Sequence, residues 1–552
     1  MKYVVAVRAL CEFTAKHGDL DLRFTPSPTA QEGLAGHALV RSRREPPYQA
    51  EVSLSGEFRH LLVRGRADGY DPTLNQLEEI KTFRGDLDLV PDNHRRLHWA
   101  QVKVYGWLLC QKAGLTEIRL ALVYFDIASQ KETVLSECHS ADELRQFFED
   151  QCGRFLDWAE QELAHRAARD TALGRLAFPH GSFRPGQRQL AEAVYRSASA
   201  GRCLMAQAPT GIGKTIGTIF PLLKAFPGKE LDKLFFLAAK TSGRRLALDA
   251  LALLKNSASA LPLRVIELVA RDKACEHPDK ACHGESCPLA KGFYDRLPQA
   301  RSAALSGGLL DQGALRAAAL EHQVCPYYLS QDLVRWSDVV VGDYNYYFDL
   351  SAMLYGLTVA NQWRVSILVD EAHNMIERAR KMYSAELDQT DFGVMRKSAP
   401  VPLKKDFDRL NRCWNELRDA QADSYEVLPS VPAKFLKALQ QATSAVTDYM
   451  TENPAGIDSG LQRFYFDALH FTRVADLFDQ HSLFDITRRA GRPGALLCLR
   501  NIIPGPFLAQ RFAASHSSAL FSATLSPWQF YGDTLGLPDD TAWIDVQSPF
   551  SA

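Results

Sequence analysis

The stretch that decides the fold is Ala208-Pro209-Thr210-Gly211-Ile212-Gly213-Lys214-Thr215. Gly211 and Gly213 allow backbone N–H groups to curl around phosphates at the start of a helix. Lys214 would place a cation on the outer phosphates, and the hydroxyl of Thr215 is a ligand for Mg²⁺. This is the form of a Walker A loop with alanine in place of the first glycine, and it predicts a nucleotide-binding α/β domain.

An acidic pair follows the buried-strand pattern at 365–369. In the run Asp370-Glu371-Ala372-His373 the acids stand at the carboxyl end of the strand, where α/β sheets bind ligands. Asp370 would hold the Mg²⁺ of MgATP, and Glu371 would orient and deprotonate the attacking water. An isolated acidic pair at a strand end is usually a solvated loop, but together with Lys214 it predicts ATP hydrolysis.

Length and composition describe a folded protein of several domains. The chain has 552 residues, of which 46% are hydrophobic and 23% charged. Single cores stop growing near roughly 250–300 residues, so several domains are expected. The net charge of -1 means that a nucleic-acid partner would be held by local basic surfaces. The absence of a long apolar run and of a signal-peptide pattern predicts a cytoplasmic protein that does not contact membranes.

Prolines and glycines at 178–186 mark a domain boundary. The segment before it mixes short strands with a helix, at 61–63, 77–82, 99–109 and 120–125. Charged helical sequence from Ala141 to Arg169 then leads to the boundary. Beyond Leu190, strand-like runs such as 235–238 alternate with helical stretches, the pattern of a parallel sheet covered by helices.

Four of the eleven cysteines form a local group: Cys275, Cys282, Cys287 and Cys325. An odd number of cysteines spread over a long chain argues against a secreted disulfide scaffold. Structural zinc sites use close cysteine pairs, whereas iron–sulfur clusters accept looser spacings. The spacing alone leaves zinc and iron–sulfur open. Four buried thiols without metal are the third alternative, which the polar residues around three of the cysteines disfavour.

Carboxylates and a lysine fall on two adjacent strands near the N-terminus. Asp68 ends one strand pattern, and Glu79 and Lys81 project from one face of the next. Asp68 and Glu79 would share a divalent metal, while Lys81 would position a water or stabilise charge on a phosphate. The alternatives are a surface salt bridge between Glu79 and Lys81 and a degenerate domain that only binds DNA.

The sequence from about residue 178 to 552 resembles the XPD/DinG iron–sulfur helicases of superfamily 2, with residues 370–373 as their DEAH box. Phe183 and Gln187 resemble the adenine-reading Q motif, Thr241 lies in a stretch similar to motif Ia, and Ser522-Ala523-Thr524-Leu525 resembles motif III. The resemblance implies that Thr241 touches the DNA backbone and that Ser522 and Thr524 couple the nucleotide to strand contact. It also implies 5′→3′ polarity.

The same resemblance implies a 4Fe-4S cluster on the four cysteines and a hole between the cluster domain and a helical arch, through which one DNA strand passes. Residues 1–165 resemble the RecB-like PD-(D/E)XK nucleases, with His37, Gln101 and Tyr105 filling their other polar positions. That resemblance implies Mg²⁺ or Mn²⁺ held by His37, Asp68 and Glu79.

The predicted fold class is α/β, with a restriction-endonuclease-like domain followed by a RecA-like P-loop motor domain that carries inserted iron–sulfur and helical arch domains. The predicted domains are a nuclease-like domain at 1–165, a linker at 166–180, the first RecA-like domain at 181–269, 331–384 and 509–552, an iron–sulfur domain at 270–330 and an arch at 385–508.

The function implied is that of an ATP-dependent DNA helicase–nuclease, a monomer acting on single-stranded or forked DNA in repair or recombination. Residues 547–552 resemble the point where the family's second RecA-like domain begins, so we expect that domain to be absent from this sequence. The alternative is a non-catalytic iron–sulfur module that clamps single-stranded DNA.

Overall fold

The computed structural model describes residues 3–23, 28, 30–257, 261–453, 458–488, 491 and 494–547. Within these ranges the strands form three sheets, of six, eight and four strands. Residues 548–552 lie outside the described residues, so the expectation placed at 547–552 stays a prediction. Among the helices described, none is long and apolar enough to cross a membrane.

The N-terminal domain is built on the mixed six-stranded sheet. Its elements are β1 (Tyr3–Ala6), α1 (Val7–Thr14), α2 (Ala30–Ser42), β2 (Gln49–Phe58), β3 (Leu61–Asp71), β4 (Gln76–Phe83), α3 (Asp92–Ala113), β5 (Glu117–Asp126), β6 (Glu132–Ser140) and α4 (Ala141–Arg175). Side chains of β5 alternate between the two faces, as strand geometry requires. Leu122 and Tyr124 join the core that contains α3 and α4 residues, whereas Val123 and Phe125 pack with Val40 of α2.

Helix α4 is longer than predicted. A capping box between Ser140 and Glu143 starts it, and it continues to Arg175. The first ten residues of the predicted linker at 166–180 are therefore helical. His165 Nε2 and Arg169 Nη1 contact the buried carboxylate of Asp338 at 2.9 and 2.8 Å, so this part of α4 packs on the motor domain.

The motor domain is built on the eight-stranded sheet, in which every pairing is parallel. Up to the large insertion its elements are α5 (Gln187–Ala200), β7 (Cys203–Gln207), α6 (Lys214–Lys229), β8 (Lys233–Ala238), α7 (Thr241–Ser257), β9 (Val265–Glu267), α8 (Arg271–Ala274), α9 (Phe293–Gly307), β10 (Leu309–Leu310), α10 (Gln312–Glu321), α11 (Pro326–Leu333), β11 (Val339–Gly342), α12 (Asn345–Phe348), α13 (Met353–Asn361), β12 (Val365–Asp370) and α14 (Met375–Met382). The predicted parallel α/β domain is confirmed.

The large insertion contains a sheet as well as helices. Its elements are β13 (Ala385–Asp388), α15 (Gln389–Ser398), α16 (Lys404–Ala420), β14 (Tyr425–Leu428), α17 (Ala433–Glu452), α18 (Ser459–Ala475), β15 (Ser482–Arg488) and β16 (Ala495–Asn501). The strands are antiparallel, in the order β13-β16-β15-β14. The prediction of a mostly helical segment at 385–508 missed this sheet, because β13 and β14 have only four residues each and β14 alternates exposed with half-buried residues.

The chain then returns to the motor sheet through α19 (Gly505–Ala513), β17 (Ser517–Ser522), α20 (Trp528–Leu535) and β18 (Ala542–Asp545). The strand order of the motor sheet is β10-β9-β11-β8-β12-β17-β7-β18. Alternate residues of β8 enter opposite cores. Phe235 lies on the face of residues 270–330, here called the cysteine segment, and Phe236 lies on the face of α6. Burying such a side chain contributes roughly 1.5–3 kcal/mol, so both faces of the sheet stabilise the domain.

The predicted insert at 270–330 packs on the motor sheet and adds a strand to its edge. Strand β10 pairs with β9 at the edge of the motor sheet, and α9, α10 and α11 contribute buried side chains to the core of one face. The cysteine-bearing loops are consequently held against the motor sheet.

Candidate active sites

Three neighbouring strands bring the predicted motor residues to one edge of the sheet. β17 lies between β7 and β12, and all three run in the same direction. The loops that follow them meet at the carboxyl edge, where such sheets bind ligands. Residues 208–213 follow β7, Glu371 follows β12, and Ser522 ends β17.

The loop after β7 turns on two glycines. Gly211 and Gly213 have φ angles of 86° and 82°, in the left-handed region that glycine adopts without steric cost. A Cβ on Gly213 would collide with the side-chain nitrogen of Gln187. Gln187 is buried, donates to the carbonyl oxygen of Gly213 at 3.0 Å and accepts the backbone N–H of Arg184 at 3.0 Å. Gln187 therefore fixes the loop to the segment before α5.

Lys214 and Thr215 are the first residues of α6, so the unpaired backbone N–H groups of its first turn face the loop. Lys214 Nζ lies 3.5 Å from the carbonyl oxygen of Pro209, the limit of a hydrogen bond. The backbone carbonyl of Thr215 accepts the hydroxyl of Thr218 at 3.0 Å. A helix N-terminus with a lysine at its start is an arrangement that favours phosphate.

Asp370 ends β12 as a buried carboxylate, 6% exposed. Its Oδ1 accepts the backbone N–H of Glu371 at 3.0 Å, and a Cβ on Gly243 would lie 2.9 Å from its Oδ2. Burial raises the pKa of Asp370 to about 6, and the negative charge of Glu371 adds to this, while Lys214 opposes it. A cation at this carboxylate would stabilise its charged form.

Glu371 belongs to a three-residue contact. Its Oε2 accepts the hydroxyl of Ser522 at 3.0 Å and lies 3.3 Å from Nδ1 of His373. The same His373 nitrogen lies 2.7 Å from the hydroxyl oxygen of Ser522. Glu371 has a φ of 50°, an uncommon left-handed conformation for a non-glycine residue. The side chain that would orient water is therefore connected directly to the serine of the predicted motif III.

Tyr344 supports the same turn, a role that no sequence pattern predicts. Its hydroxyl donates to the carbonyl oxygens of Asp370 and Glu371, the second at 3.1 Å. Burial raises the pKa of Tyr344, which keeps the hydroxyl protonated as a donor. Tyr344, Tyr347 and Phe348 are fully buried, so these aromatics belong to the core.

The other motif residues lie around this edge. Phe183 stacks on Phe178 with a centroid distance of 4.0 Å, in the segment that leads to α5. Thr241 begins α7, and its hydroxyl accepts Arg244 Nη2 at 3.2 Å. Thr524 is exposed, two residues beyond β17.

Asp370 gives a pH-dependent prediction. Its pKa is about 6 in the folded chain, against 3.8 for an ordinary aspartate. Between these two pH values the folded state therefore binds more protons than the unfolded state. The free energy of unfolding then falls as pH rises from about 4 to about 6, by up to about 3 kcal/mol. Asp370→Asn should remove this dependence and raise the melting temperature at pH 7.5 by about 2–5 °C. Calorimetry of the nucleotide-free protein tests this, and a melting temperature at or below that of the wild type at pH 7.5 would contradict it.

The four grouped cysteines line one small cavity. Cys275 follows α8, Cys325 caps α11, and Cys282 and Cys287 lie on the loop between α8 and α9; all four are partly exposed. Burial raises the pKa of Cys282 and of Cys325, and the nearby cysteines raise both further.

Among the residues that the structure describes, no group of three or more His, Cys, Asp or Glu is arranged to hold one metal ion. This applies to the four cysteines and also to His37, Asp68 and Glu79. The two sets nevertheless differ. The cysteines surround a shared cavity, whereas the N-terminal acids are engaged by other side chains.

The N-terminal polar residues converge across β3 and β4. Asp68 Oδ2 accepts the backbone N–H of Ile80 at 2.7 Å, and its Oδ1 lies 3.2 Å from Nδ1 of His37 on α2. Lys81 Nζ donates to Glu79 Oε1 at 2.7 Å and to Gln101 Oε1 of α3 at 2.9 Å. Four elements, α2, β3, β4 and α3, therefore meet at one centre. We call it the acid–lysine centre, and it comprises the side chains of His37, Asp68, Glu79, Lys81 and Gln101.

Glu79 is the most buried acid of this centre. Burial raises the pKa of Glu79, Lys81 opposes that shift, and the negative charge of Asp68 adds to it. Tyr105 of α3 also lies near the centre, since the negative charge of Glu79 adds to burial in raising the pKa of its hydroxyl. The predicted ion pair between Glu79 and Lys81 is present, but it is inside the domain rather than on its surface.

A cavity of about 750 Å³ opens beside Lys81. Its other walls include Arg96 and His98 of α3, Asp19, and Glu285 of the cysteine segment. Burial lowers the pKa of His98 to about 3, so this imidazole is neutral at pH 7. The acid–lysine centre therefore borders a space formed jointly with the cysteine segment.

Residues 262–392 match the DEAD_2 family model. The matched segment contains the four cysteines, Asp370 and Glu371. The chain is also 32% identical over 155 residues to a regulator of telomere elongation helicase 1 homolog of Anopheles gambiae, a match covering 26% of this chain and 15% of that protein. A homolog from Aedes aegypti is 26% identical over 185 residues, covering 28% and 18%. These matches support a helicase family.

The matched region spans less than a fifth of the length of these two relatives. Among solved structures, the chain is similar to one titled "XPD_Helicase", with a TM-score of 0.45 and 16% identity, covering 66% of this chain and 62% of the other. It is also similar to "Truncated XPD", with a TM-score of 0.42 and 17% identity, covering 65% and 99%.

Proposed function

We propose that the protein is an ATP-dependent DNA helicase with a metal-dependent nuclease centre. The observation that carries the motor part is the convergence of the Lys214 loop, Asp370 and Glu371 at one edge of a parallel sheet. The proposal includes 5′→3′ movement on single-stranded or forked DNA, action as a monomer and a role in DNA repair or recombination, all implied by the helicase resemblance.

At the motor site, Thr215 and Asp370 would hold Mg²⁺ with bound ATP, and this ion supplies charge neutralisation on the phosphates. Lys214 and the N-terminus of α6 bind phosphate oxygens. Glu371 accepts the proton of the attacking water. Glu371 also accepts the hydroxyl of Ser522 at the end of β17. A movement of Glu371 caused by a change at the outer phosphate would therefore be passed to β17 through this hydrogen bond.

The cysteine cavity is proposed to hold a 4Fe-4S cluster rather than a single zinc ion, as the helicase resemblance implies. In a cluster each thiolate binds its own iron, so the sulfur atoms stand further apart than four thiolates on one ion. The proposal is supported by the four partly exposed cysteines, which line one small cavity. Bound iron and sulfide would supply a rigid link between the loops that follow α8 and precede α11.

The acid–lysine centre is proposed to cut DNA. Asp68, Glu79 and His37 would hold Mg²⁺ or Mn²⁺, which supplies activation of water and charge neutralisation at the scissile phosphate. The cation would compete with Lys81 for Glu79, because their ion pair now joins these residues. Lys81, once displaced, lies beside the cavity and can bind a phosphate oxygen.

The deciding measurement for the motor is ATP hydrolysis with and without single-stranded DNA, followed by unwinding of a forked duplex. A helicase hydrolyses ATP faster when DNA is present. The alternative, a non-catalytic clamp, binds single-stranded DNA but leaves ATP intact. DNA binding without any stimulated hydrolysis would therefore favour the clamp.

Iron content tests the cluster. Protein prepared without oxygen should contain about four iron atoms per chain and absorb broadly in the visible blue. Cys282→Ser should lose most of the iron, because an alkoxide is not available to replace the thiolate at neutral pH. Cys413→Ser, at a buried cysteine of the large insertion, is the matched control and should retain it. Stoichiometric zinc without iron would contradict the proposal.

A further inference from the structure

Residues 17–23, here called the strap, leave the N-terminal domain after α1 and lie against the cysteine segment. The backbone N–H of Leu20 donates to the carbonyl oxygen of Ala290 at 2.8 Å, and that of Leu22 donates to the carbonyl oxygen of Cys282 at 2.9 Å. The backbone N–H of Tyr294 donates to the carbonyl oxygen of Gly18 at 3.0 Å. The strap is thus bound to the cysteine segment through its main chain.

Leu20 is the apolar anchor of this contact. It is 4% exposed and packs in the same core as Ala290, Phe293 and Leu297. Its side chain lines the cavity together with the four cysteines. Part of the wall around the thiols therefore comes from a different domain, more than 250 residues away in sequence.

Asp19 fixes the position of the strap. Its Oδ1 accepts the backbone N–H of Gly292 at 2.6 Å, and its carboxylate occupies the space that a Cβ on Gly284 would need. Its carbonyl oxygen accepts the side-chain amide of Asn93 on α3 at 3.0 Å. One residue consequently ties the cysteine segment to the helix that also carries Gln101.

The strap also borders the 750 Å³ cavity. Asp19, Asp21 and Arg23 line that space, whereas Leu20 faces the cysteines. Arg23 pairs with Asp21 at 2.6 Å and with Glu285 of the cysteine segment at 3.2 Å. Successive residues of one extended segment therefore form a shared wall between the two cavities.

We infer that the strap is the lid of the cysteine site, and that Leu20 covers one side of the thiols and slows the access of reagents to them. The ligand this composite site would take is an iron–sulfur cluster, and in that respect the inference rests on the proposed function. The lid is contributed by the nuclease-like domain, so the site is complete only when the two domains are packed together.

The experiment compares Leu20→Ala with Leu22→Ala. Leu22 is 47% exposed, and its alanine variant keeps the same backbone hydrogen bond, which makes it a matched control. Metal-free reduced protein is treated with iodoacetamide, and mass spectrometry follows each cysteine. Leu20→Ala should increase the modification rates of Cys282 and Cys287 about tenfold, because thiol reactivity follows exposure and local opening.

Cys138 is exposed on β6 and serves as the internal reference, with the same rate in all three proteins. Unchanged rates at Cys282 and Cys287 in Leu20→Ala would overturn the inference. Equal acceleration in Leu22→Ala would also overturn it, since the effect would then be general loosening. Unchanged circular dichroism and melting temperature to within a few degrees confirm that the variants are folded.

A second readout uses protein loaded with iron and sulfide without oxygen. An iron chelator should remove iron from Leu20→Ala about tenfold faster than from the wild type or Leu22→Ala. Wild-type protein that binds no iron would refute the cluster proposal alone. The alkylation rates would still decide whether the strap covers the cysteines, so the two failures are distinguishable.

Discussion

Lys214→Ala is expected to abolish ATP hydrolysis and to weaken MgATP binding. The substitution removes the cation at the start of α6, whose Nζ lies 3.5 Å from the carbonyl oxygen of Pro209 in the loop, while the glycine turn and the helix N-terminus remain. Loss of such a charge at a phosphoryl-transfer site lowers turnover by about 10²–10³-fold. Phosphate release in the presence of single-stranded DNA measures turnover, and calorimetric titration measures binding.

Lys229→Ala is the matched control, because Lys229 is the last residue of the same helix and lies far from the loop. It should leave hydrolysis unchanged. Lys214 lowers the pKa of Asp370, so Lys214→Ala should raise the pKa of that carboxyl. Hydrolysis by Lys214→Ala at the rate of the control would exclude this loop as the nucleotide site.

Asp68→Asn is expected to abolish metal-dependent DNA cleavage while ATP binding stays intact. Asparagine keeps the oxygen that accepts the N–H of Ile80, so β3 and β4 stay joined, but it removes the charge that a divalent cation needs. Cleavage should fall by about 10²-fold or more. The measurement is the cutting of labelled single-stranded, duplex and forked DNA with Mn²⁺.

Asp71→Asn on the same strand is the control. Asp71 accepts the backbone N–H of Thr73 at 2.8 Å in a turn, a role that an asparagine oxygen also fills. Equal cutting by wild type and Asp68→Asn would assign the activity to a contaminant or another site. A wild type that cuts none of the three substrates would leave the domain as a DNA-binding relic.

Local sequence patterns anticipated much of the motor fold. The apolar runs at 235–238 and 365–369 are strands of the parallel sheet, and the acids follow the second of them. Strand alternation also anticipated that Glu79 and Lys81 share a face, and they form an ion pair. In each case the deciding interactions lie within a few residues of one another, where the periodicity of side chains carries the information.

Contacts between distant segments could not be predicted in this way. Tyr344 supports the Asp370–Glu371 turn, His373 contacts Ser522 across 149 positions, and Leu20 lies against the cysteine segment. No spacing or composition marks these contacts, because the partners are set by the packing of separate elements. The sheet within 385–508 was missed for a related reason, since its strands pair with neighbours up to about a hundred residues away.

Helix α4 has a practical consequence for dividing the protein. At 35 residues it is a rod about 50 Å long that begins in the N-terminal domain and ends against the motor. A fragment that starts at residue 166 would lack His165. Arg169, on the shortened helix, would then be the α4 side chain left to pair with the buried Asp338. The first half of α4 buries Leu144, Phe148 and Leu156 in the N-terminal core, so a motor fragment that retains the whole helix would expose them. A cut on either side of α4 should therefore yield an aggregating product, and the two domains should be expressed together.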